Sequence, residues 1–326
     1  VRPFLLNLFT DPAILRVPFF IRPLLARRIA AMRVEPARAS YAALGGGSPL
    51  LELTQAQAEA LARELNDFEV RCFIAMRYWH PLSEATAKAV YAWRPDEVIL
   101  LPLYPQYSTT TTGSSLTAWH AAATRVGLVA DTIALCCYAT DVDYVAATAR
   151  LLQTACDAAR AELAPATQMR VLFSAHGLPE KIVQRGDPYQ WQIEQTVAHV
   201  VANCGDGLPE QVICYQSRAT PQQWIGPSTE AEIERAAHDG VAVLVVPIAF
   251  VSDHSETLIE LDEDYRALAE RLGVPGYYRV PVQNTDAAFI TALANIVRRV
   301  HARGPGLCSH AGGRVCPAGR SLCPLQ

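Results

Sequence analysis

The sequence carries no excess of positive charge. Its 28 lysines and arginines stand against 32 aspartates and glutamates, a formal net charge of -4, so no basic field is available to hold a polyphosphate backbone and nucleic acid is not an expected partner. Long apolar runs are missing too: the longest, Val241 to Val251, is eleven residues and contains Pro247, well short of the ~18 that a membrane span needs. No glycine-rich phosphate loop follows a strand-like run. Gly45 to Gly47 lacks both the preceding strand and the spacing, which argues against a nucleotide enzyme. There is no internal repeat, and no low-complexity stretch beyond Thr109 to Thr112. The chain opens on Val1 with no basic-then-apolar leader, so a further segment is expected ahead of it. Cysteines number nine, an odd count, and three fall in the last nineteen residues. That speaks against a secreted disulfide framework and for a reducing compartment.

What is present reads as globular. With 326 residues, 51% of them hydrophobic and 18% charged, a prior of ~150 residues per domain gives two domains with ample core. Short apolar runs that end in polar or Gly/Pro loops alternate with helical periods. The expected strands are Val70–Ala75, Glu97–Leu103, Asp131–Cys137, Arg170–Ser174, Gln211–Tyr215, Val241–Phe250 and Gly276–Val280. The fold class is therefore α/β: two doubly wound, Rossmann-like domains with parallel sheets flanked by helices. The expected division is 1–137 plus 280–326 for one domain and 138–279 for the other, with the ligand cleft between them. Such sheets bind ligands beyond the carboxyl ends of their strands, so the residues just after each strand are the candidates for chemistry.

His176 follows the run Val171–Ser174 beside Gly177, placing an imidazole at such a mouth. It reads either as a turn histidine bonded to backbone or as a base working near neutral pH. Asp253, His254 and Glu256 follow the most hydrophobic strand, and Glu256, Glu260 and Asp264 then recur every four residues on one helix face. A carboxylate row of this kind reads as a solvated face or, at a cleft mouth beside imidazoles, as a ladder for protons or a divalent metal such as Fe(II). Tyr78, Trp79, Tyr104, Tyr107, Tyr215, Trp224 and Phe250 gather at the same loop positions. They are core packing or flat walls for a large planar ligand, whose peripheral carboxylates Arg77 and the Ser108–Ser115 loop could hold. Arg218, after Tyr215-Gln216-Ser217, is a further strand-end residue. Cys308, Cys316 and Cys323 in a Gly/Pro-rich tail are free thiols of a disordered end or ligands of a cluster. Ile14 to Met32 mixes apolar bulk with Arg16, Arg22, Arg27 and Arg28; Pro18 and Pro23 break its period, leaving core burial and contact with anionic lipid both open.

Several of these segments, taken in order, carry a resemblance. Gly45-Gly46-Gly47-Ser48-Pro49-Leu50, Arg77-Tyr78-Trp79-His80-Pro81-Leu82, Leu101 to Ser108 with Thr112-Gly113-Ser114-Ser115, Ser174-Ala175-His176-Gly177-Leu178-Pro179, Tyr215-Gln216-Ser217 and Pro247 to Leu258 together resemble the ferrochelatase family over almost the whole chain. The resemblance implies insertion of ferrous iron into protoporphyrin IX with release of two protons, the last step of heme biosynthesis. It implies that His176 takes protons and that Glu256 faces it across the macrocycle, with His254 and Asp253 in support and Glu260 and Asp264 continuing the row on a π-type helix. Tyr78, Tyr107, Trp224 and Phe250 would wall the pocket, with Arg77, Ser108 and Ser217 also touching the porphyrin. The family's first strand and its glycine-containing loop have no counterpart ahead of Val1, and the stretch from Leu65 to Val70 looks shortened. Some members hold a 2Fe-2S cluster, here implying Cys308, Cys316 and Cys323 with Cys137 or Cys136 as the fourth ligand. The same resemblance implies peripheral attachment to the inner membrane from the cytoplasm, as a monomer or homodimer. The competing readings are a coproporphyrin ferrochelatase, which would need more basic anchors, and a tetrapyrrole carrier, which would have no use for His176 opposed to Glu256.

Overall fold

The computed structural model describes residues 1–217 and 222–325; Arg218 lies outside the described residues. Among the described residues seven strands form two parallel sheets: β1 (Glu97–Leu100), β2 (Asp131–Leu135), β3 (Met169–His176), β4 (Glu210–Gln216), β5 (Ala242–Pro247), β6 (Tyr277–Arg279) and β7 (Gly306–Cys308). The first sheet has the order β1-β2-β7 and the second β4-β3-β5-β6. Every ladder is parallel, with Ala134 beside Leu307 and Ser174 beside both Cys214 and Pro247.

The second sheet shows why its strands read as unbroken apolar runs. Val171, Phe173 and Ala175 of β3 and Leu244 and Val246 of β5 face the large core that also takes Ile133 and Leu135 of the first sheet. Leu172, Val243 and Val245 face a smaller core under the helices Thr229–Asp239 and Tyr265–Leu272. Alternate residues point to opposite faces, and both faces are covered, so Val171, Leu172 and Phe173 and all of β5 are apolar. The helix Ala287–His301 then carries the chain back to the first sheet. Asp286 caps it by accepting the Phe289 N–H, and Phe289, Leu293, Ile296 and Val300 are buried along one stripe. Among the described residues no helix is long and apolar enough to cross a membrane.

The runs expected as Glu97–Leu103 and Asp131–Cys137 end early, at Leu100 and Leu135, and three further expectations differ from what is found. Among the described residues Val70–Ala75 joins no ladder and β1 pairs only with β2; both the segment and β1 line the large cavity. The run to Phe250 stops pairing at Pro247, after which Ile248 sends its N–H to the Ser174 carbonyl and the chain turns. Cys308, expected in the tail, is the last residue of β7. Three residues including a glycine carry no strand signal of their own, and its pairing with β2 comes from the tertiary fold.

Candidate active site

The carboxyl ends of β3, β4 and β5 open on a cavity of about 1760 Å³, predominantly apolar, which also reaches the first sheet. His176, the last residue of β3, and Glu256, the first residue of a π-helix spanning Glu256–Asp264, both line it. His176 donates Nδ1–H to the Gly177 carbonyl at 2.7 Å. A carbonyl can only accept, so in the neutral ring Nε2 carries the lone pair, and this nitrogen stands 3.6 Å from Glu256 Oε1. His254 repeats the device: Nδ1 donates to the Ser252 carbonyl at 3.1 Å and Nε2 stands 3.5 Å from Glu256 Oε2. Burial works against a charge on Glu256, but the facing imidazoles outweigh it and hold the carboxyl down to about 2. Burial likewise disfavours the His254 cation, and the Glu256 carboxylate outweighs it, raising that imidazole above its ordinary value.

The two groups do not face each other across a macrocycle as the side chains stand. A flat ring needs ~3.5 Å on each face, twice what the 3.6 Å between His176 and Glu256 offers. They converge on one point instead of flanking a slab.

The carboxylate row is broken by its own hydrogen bonds. Glu260 lines the cavity, but it accepts from the Ser217 N–H (2.9 Å), Ser217 Oγ (2.5 Å), Gln216 Nε2 (3.2 Å) and Tyr265 OH (3.0 Å). Burial still raises its carboxyl, with Glu256 adding to the effect. These bonds hold Ser217 at φ +64°, a left-handed conformation that costs a non-glycine residue energy. Asp264 is exposed and is not part of the cavity wall. Asp253 does not face the cavity either: its carboxylate accepts from Thr257, Arg279 and Asn284, fixing the loop that carries His254.

Trp224 and Phe250 line the cavity. The Trp224 ring lies against Gly177, where a Cβ would meet the indole at 3.3 Å and the Gln216 carbonyl at 2.9 Å. Phe250 leans on His254 with ring centres 4.8 Å apart. Tyr78 and Arg77 reach the cavity, but both are engaged: Arg77 donates to Asp11 (2.7 Å) and Ser114 (2.6 Å), and Tyr78 donates to the same Asp11 oxygen (2.9 Å). Burial works against the Asp11 charge, and Ser114, the Ala13 N–H and Arg77 outweigh it, holding the carboxyl low.

Tyr107 is not a wall. It is buried with Cys136 and Cys137 under Val315 and Leu325 of the tail, and Tyr104 takes the cavity position instead. Ser108 is fully buried and donates to Asp187 at 3.1 Å. Asp187, also fully buried, accepts from Thr109 N–H and Oγ1 and from Tyr189 N–H as well, pinning the first sheet's loop to the second. Asp11 and Asp187 are buried hydrogen-bond anchors that sequence reading missed. Each works through contacts with residues distant in the chain, and no local spacing betrays them.

All nine cysteines are free. Cys136 and Cys137 bring their sulfurs to 3.4 Å, and Gln192 reaches Cys137 and Cys316. Cys308 turns into the main core on the face of its neighbour Leu135. Among the described residues no three His, Cys, Asp or Glu side chains form a group able to hold a metal ion. Cys137, Cys308, Cys316 and Cys323 therefore do not stand as one donor set.

Two parallel sheets whose strand ends share one apolar cleft, with two imidazoles turned on a single carboxylate, define an α/β enzyme of the chelatase type. A solved structure described as SirB from Bacillus subtilis with Fe3+ shares this fold at TM-score 0.54 and 16% identity, covering 79% of this chain and 93% of its own. The chain belongs to the ferrochelatase family: that family's profile matches residues 1–301. Its reaction, ferrous iron insertion into protoporphyrin IX, ends heme biosynthesis. The chain is 50% identical to a ferrochelatase of Caulobacter vibrioides over 333 aligned residues, 100% of this chain and 93% of that one. It is 47% identical to a ferrochelatase of Hyphomonas neptunium, covering 99% and 90%.

Proposed function

We propose that His176 is the base and that His176 and Glu256 together receive the ferrous substrate at one point of the porphyrin. The observation that carries this is their 3.6 Å approach inside the large apolar cleft. Two donors each ~2.1 Å from a first-row divalent cation stand about that far apart. Metalation replaces two pyrrole N–H protons by iron. The Glu256 carboxylate, charged across the working pH range, pairs with the arriving cation; as iron passes to the ring nitrogens the freed Nε2 lone pair of His176 accepts one pyrrole proton, and solvent water takes the other. His254 orients that carboxylate, Asp253 orients the His254 loop, and Glu260 positions Ser217. Trp224, Phe250 and Tyr78 hold the ring, with the two sheets (1–137 plus 280–326, and 138–279) supplying opposite walls.

Arg77 is committed to Asp11 and Ser114, which favours protoporphyrin over a porphyrin with four carboxylates to anchor. Under argon with Fe(II), the protein is expected to quench protoporphyrin fluorescence with turnover and to metalate coproporphyrin at least about tenfold more slowly. Equal rates would remove the substrate assignment, and porphyrin binding without metalation would leave only a carrier.

The tail thiols supply sulfur ligands of the type that iron-sulfur clusters use. A 2Fe-2S cluster on Cys316 and Cys323 with Cys137 or Cys136 would need these side chains to draw together from where they stand, and Cys308 would have to leave the core. The cluster would supply a covalent tie between tail and body, and none of the steps above uses it. Anaerobically purified protein is expected to contain iron and acid-labile sulfide in equal amounts, and Cys323→Ala to lose both. Protein with neither rules the cluster out.

Phe19, Phe20 and Leu24 are 79%, 69% and 71% exposed beside Arg27 and Arg28. Burying such rings in a lipid interface is worth ~1.5–3 kcal/mol each, and the arginines favour anionic headgroups. This supports peripheral attachment at the cytoplasmic face of the inner membrane. Phe19→Ser/Phe20→Ser is expected to reduce co-sedimentation with phosphatidylglycerol vesicles at least about tenfold; unchanged binding would refute the surface.

A further inference from the structure

Gln192 lies on the helix Tyr189–Cys204 with 1% of its surface exposed, and its amide is used from both ends. Oε1 accepts the Tyr107 backbone N–H at 2.7 Å, while Nε2 donates to Cys316 Sγ at 3.2 Å and to Cys137 Sγ at 3.5 Å. A backbone N–H only donates, so the oxygen must face Tyr107 and both amide hydrogens must face sulfur. Thiol sulfur accepts such bonds. The amide thus joins two sulfurs at one end to a loop at the other.

That loop is part of the cleft. Tyr104, Gln106 and Ser108, on either side of Tyr107, line the cavity, and Gln106 is tied to Thr196 on the same helix at 3.0 Å. A second contact runs alongside: Leu322 of the tail donates to the Gly186 carbonyl at 3.1 Å, and the next residue, Asp187, holds Ser108 and Thr109. Tail and cleft wall are therefore joined through buried hydrogen bonds, where the loss of one partner is felt by the others.

We propose that Gln192 is a positioning residue that couples the sulfurs of Cys137 and Cys316 to porphyrin binding by fixing the Tyr104–Ser108 wall. The coupling rests on the cleft being the porphyrin site, and it holds for free thiols as for ligated sulfur. Full-length protein is used throughout, with a Gln192→Glu by Cys316→Ala double-mutant cycle. Gln192→Glu keeps the acceptor for Tyr107 and removes both donors to sulfur; Gln192→Met, which removes all three bonds, is a second background. Hydrogen exchange at the Tyr107 amide is followed beside protoporphyrin affinity, so a failure of the porphyrin reading leaves the exchange result intact.

Cys316→Ala in otherwise wild-type protein is expected to speed Tyr107 exchange about tenfold, the worth of one such bond, and to weaken protoporphyrin binding about fivefold. In the Gln192→Glu background the same change should alter either quantity less than about twofold, and in Gln192→Met the amide should already exchange fast. Equal effects of Cys316→Ala in all backgrounds, or none in the wild type, would overturn the coupling. Altered exchange with no porphyrin binding in any variant would confirm the link and refute the site it was thought to serve.

Discussion

His176→Ala is expected to lower the rate of porphyrin metalation by about 10³, within the 10²–10⁴ that a positioned general base contributes, while changing protoporphyrin affinity less than about threefold. The separation follows from geometry. His176 ends β3 at the cleft mouth and turns its lone-pair nitrogen to Glu256, whereas Trp224, Phe250 and Tyr78 provide the flat contact area. Anaerobic stopped-flow fluorescence reads the rate and equilibrium quenching reads the affinity. Imidazole added to the alanine variant should restore part of the rate, as it would for a missing base and would not for a misfolded cleft. A variant with an undiminished rate would remove His176 from the chemistry.

Glu256→Gln is expected to cost about 10²–10³ in rate, the usual loss when one preorganised electrostatic partner is removed. The amide keeps the shape and cannot pair with the cation or with His254. Its stability signature depends on pH in a way the shifts dictate. The Glu256 carboxyl is held down to about 2 in the fold. Its stabilising contribution is thus complete above the ordinary carboxylate value of ~4.3 and lost as pH falls toward 2. His254 is raised, so its contribution is complete below ~6.5 and lost as pH climbs through its raised value. The wild type should therefore exceed the glutamine variant in Tm most between about pH 4.3 and 6.5, with the gap closing on both sides. A gap that stays constant from pH 3 to 9 would show that the charge pair is not what holds these side chains.

Which residues were legible from sequence follows from what each depends on. His176, His254, Glu256, Ser217, Trp224 and Phe250 reach the cavity because ligands sit beyond strand ends in parallel sheets, and the strands announce themselves as apolar runs. Past the strand end there is no period to say where a side chain points. Tyr104 faces the cleft and Tyr107 the cysteines, although both follow β1 in aromatic-proline-polar company. Asp253 turned to Arg279 and Asn284, and Ser108 to Asp187, partners far away in the chain. Cys308 was grouped with the tail by composition, but pairing with β2 sends it inward. Val70–Ala75 had strand composition without a neighbour to bond, and β7 had a neighbour without strand composition.

The place of β7 has a consequence for how the molecule is made. β7 follows β6 in the chain and pairs with β2, so the first sheet gains its third strand only after every strand of the second has left the ribosome. The half begun earlier is finished later. No single proteolytic cut can release the first sheet with all three of its strands as one continuous fragment free of the second.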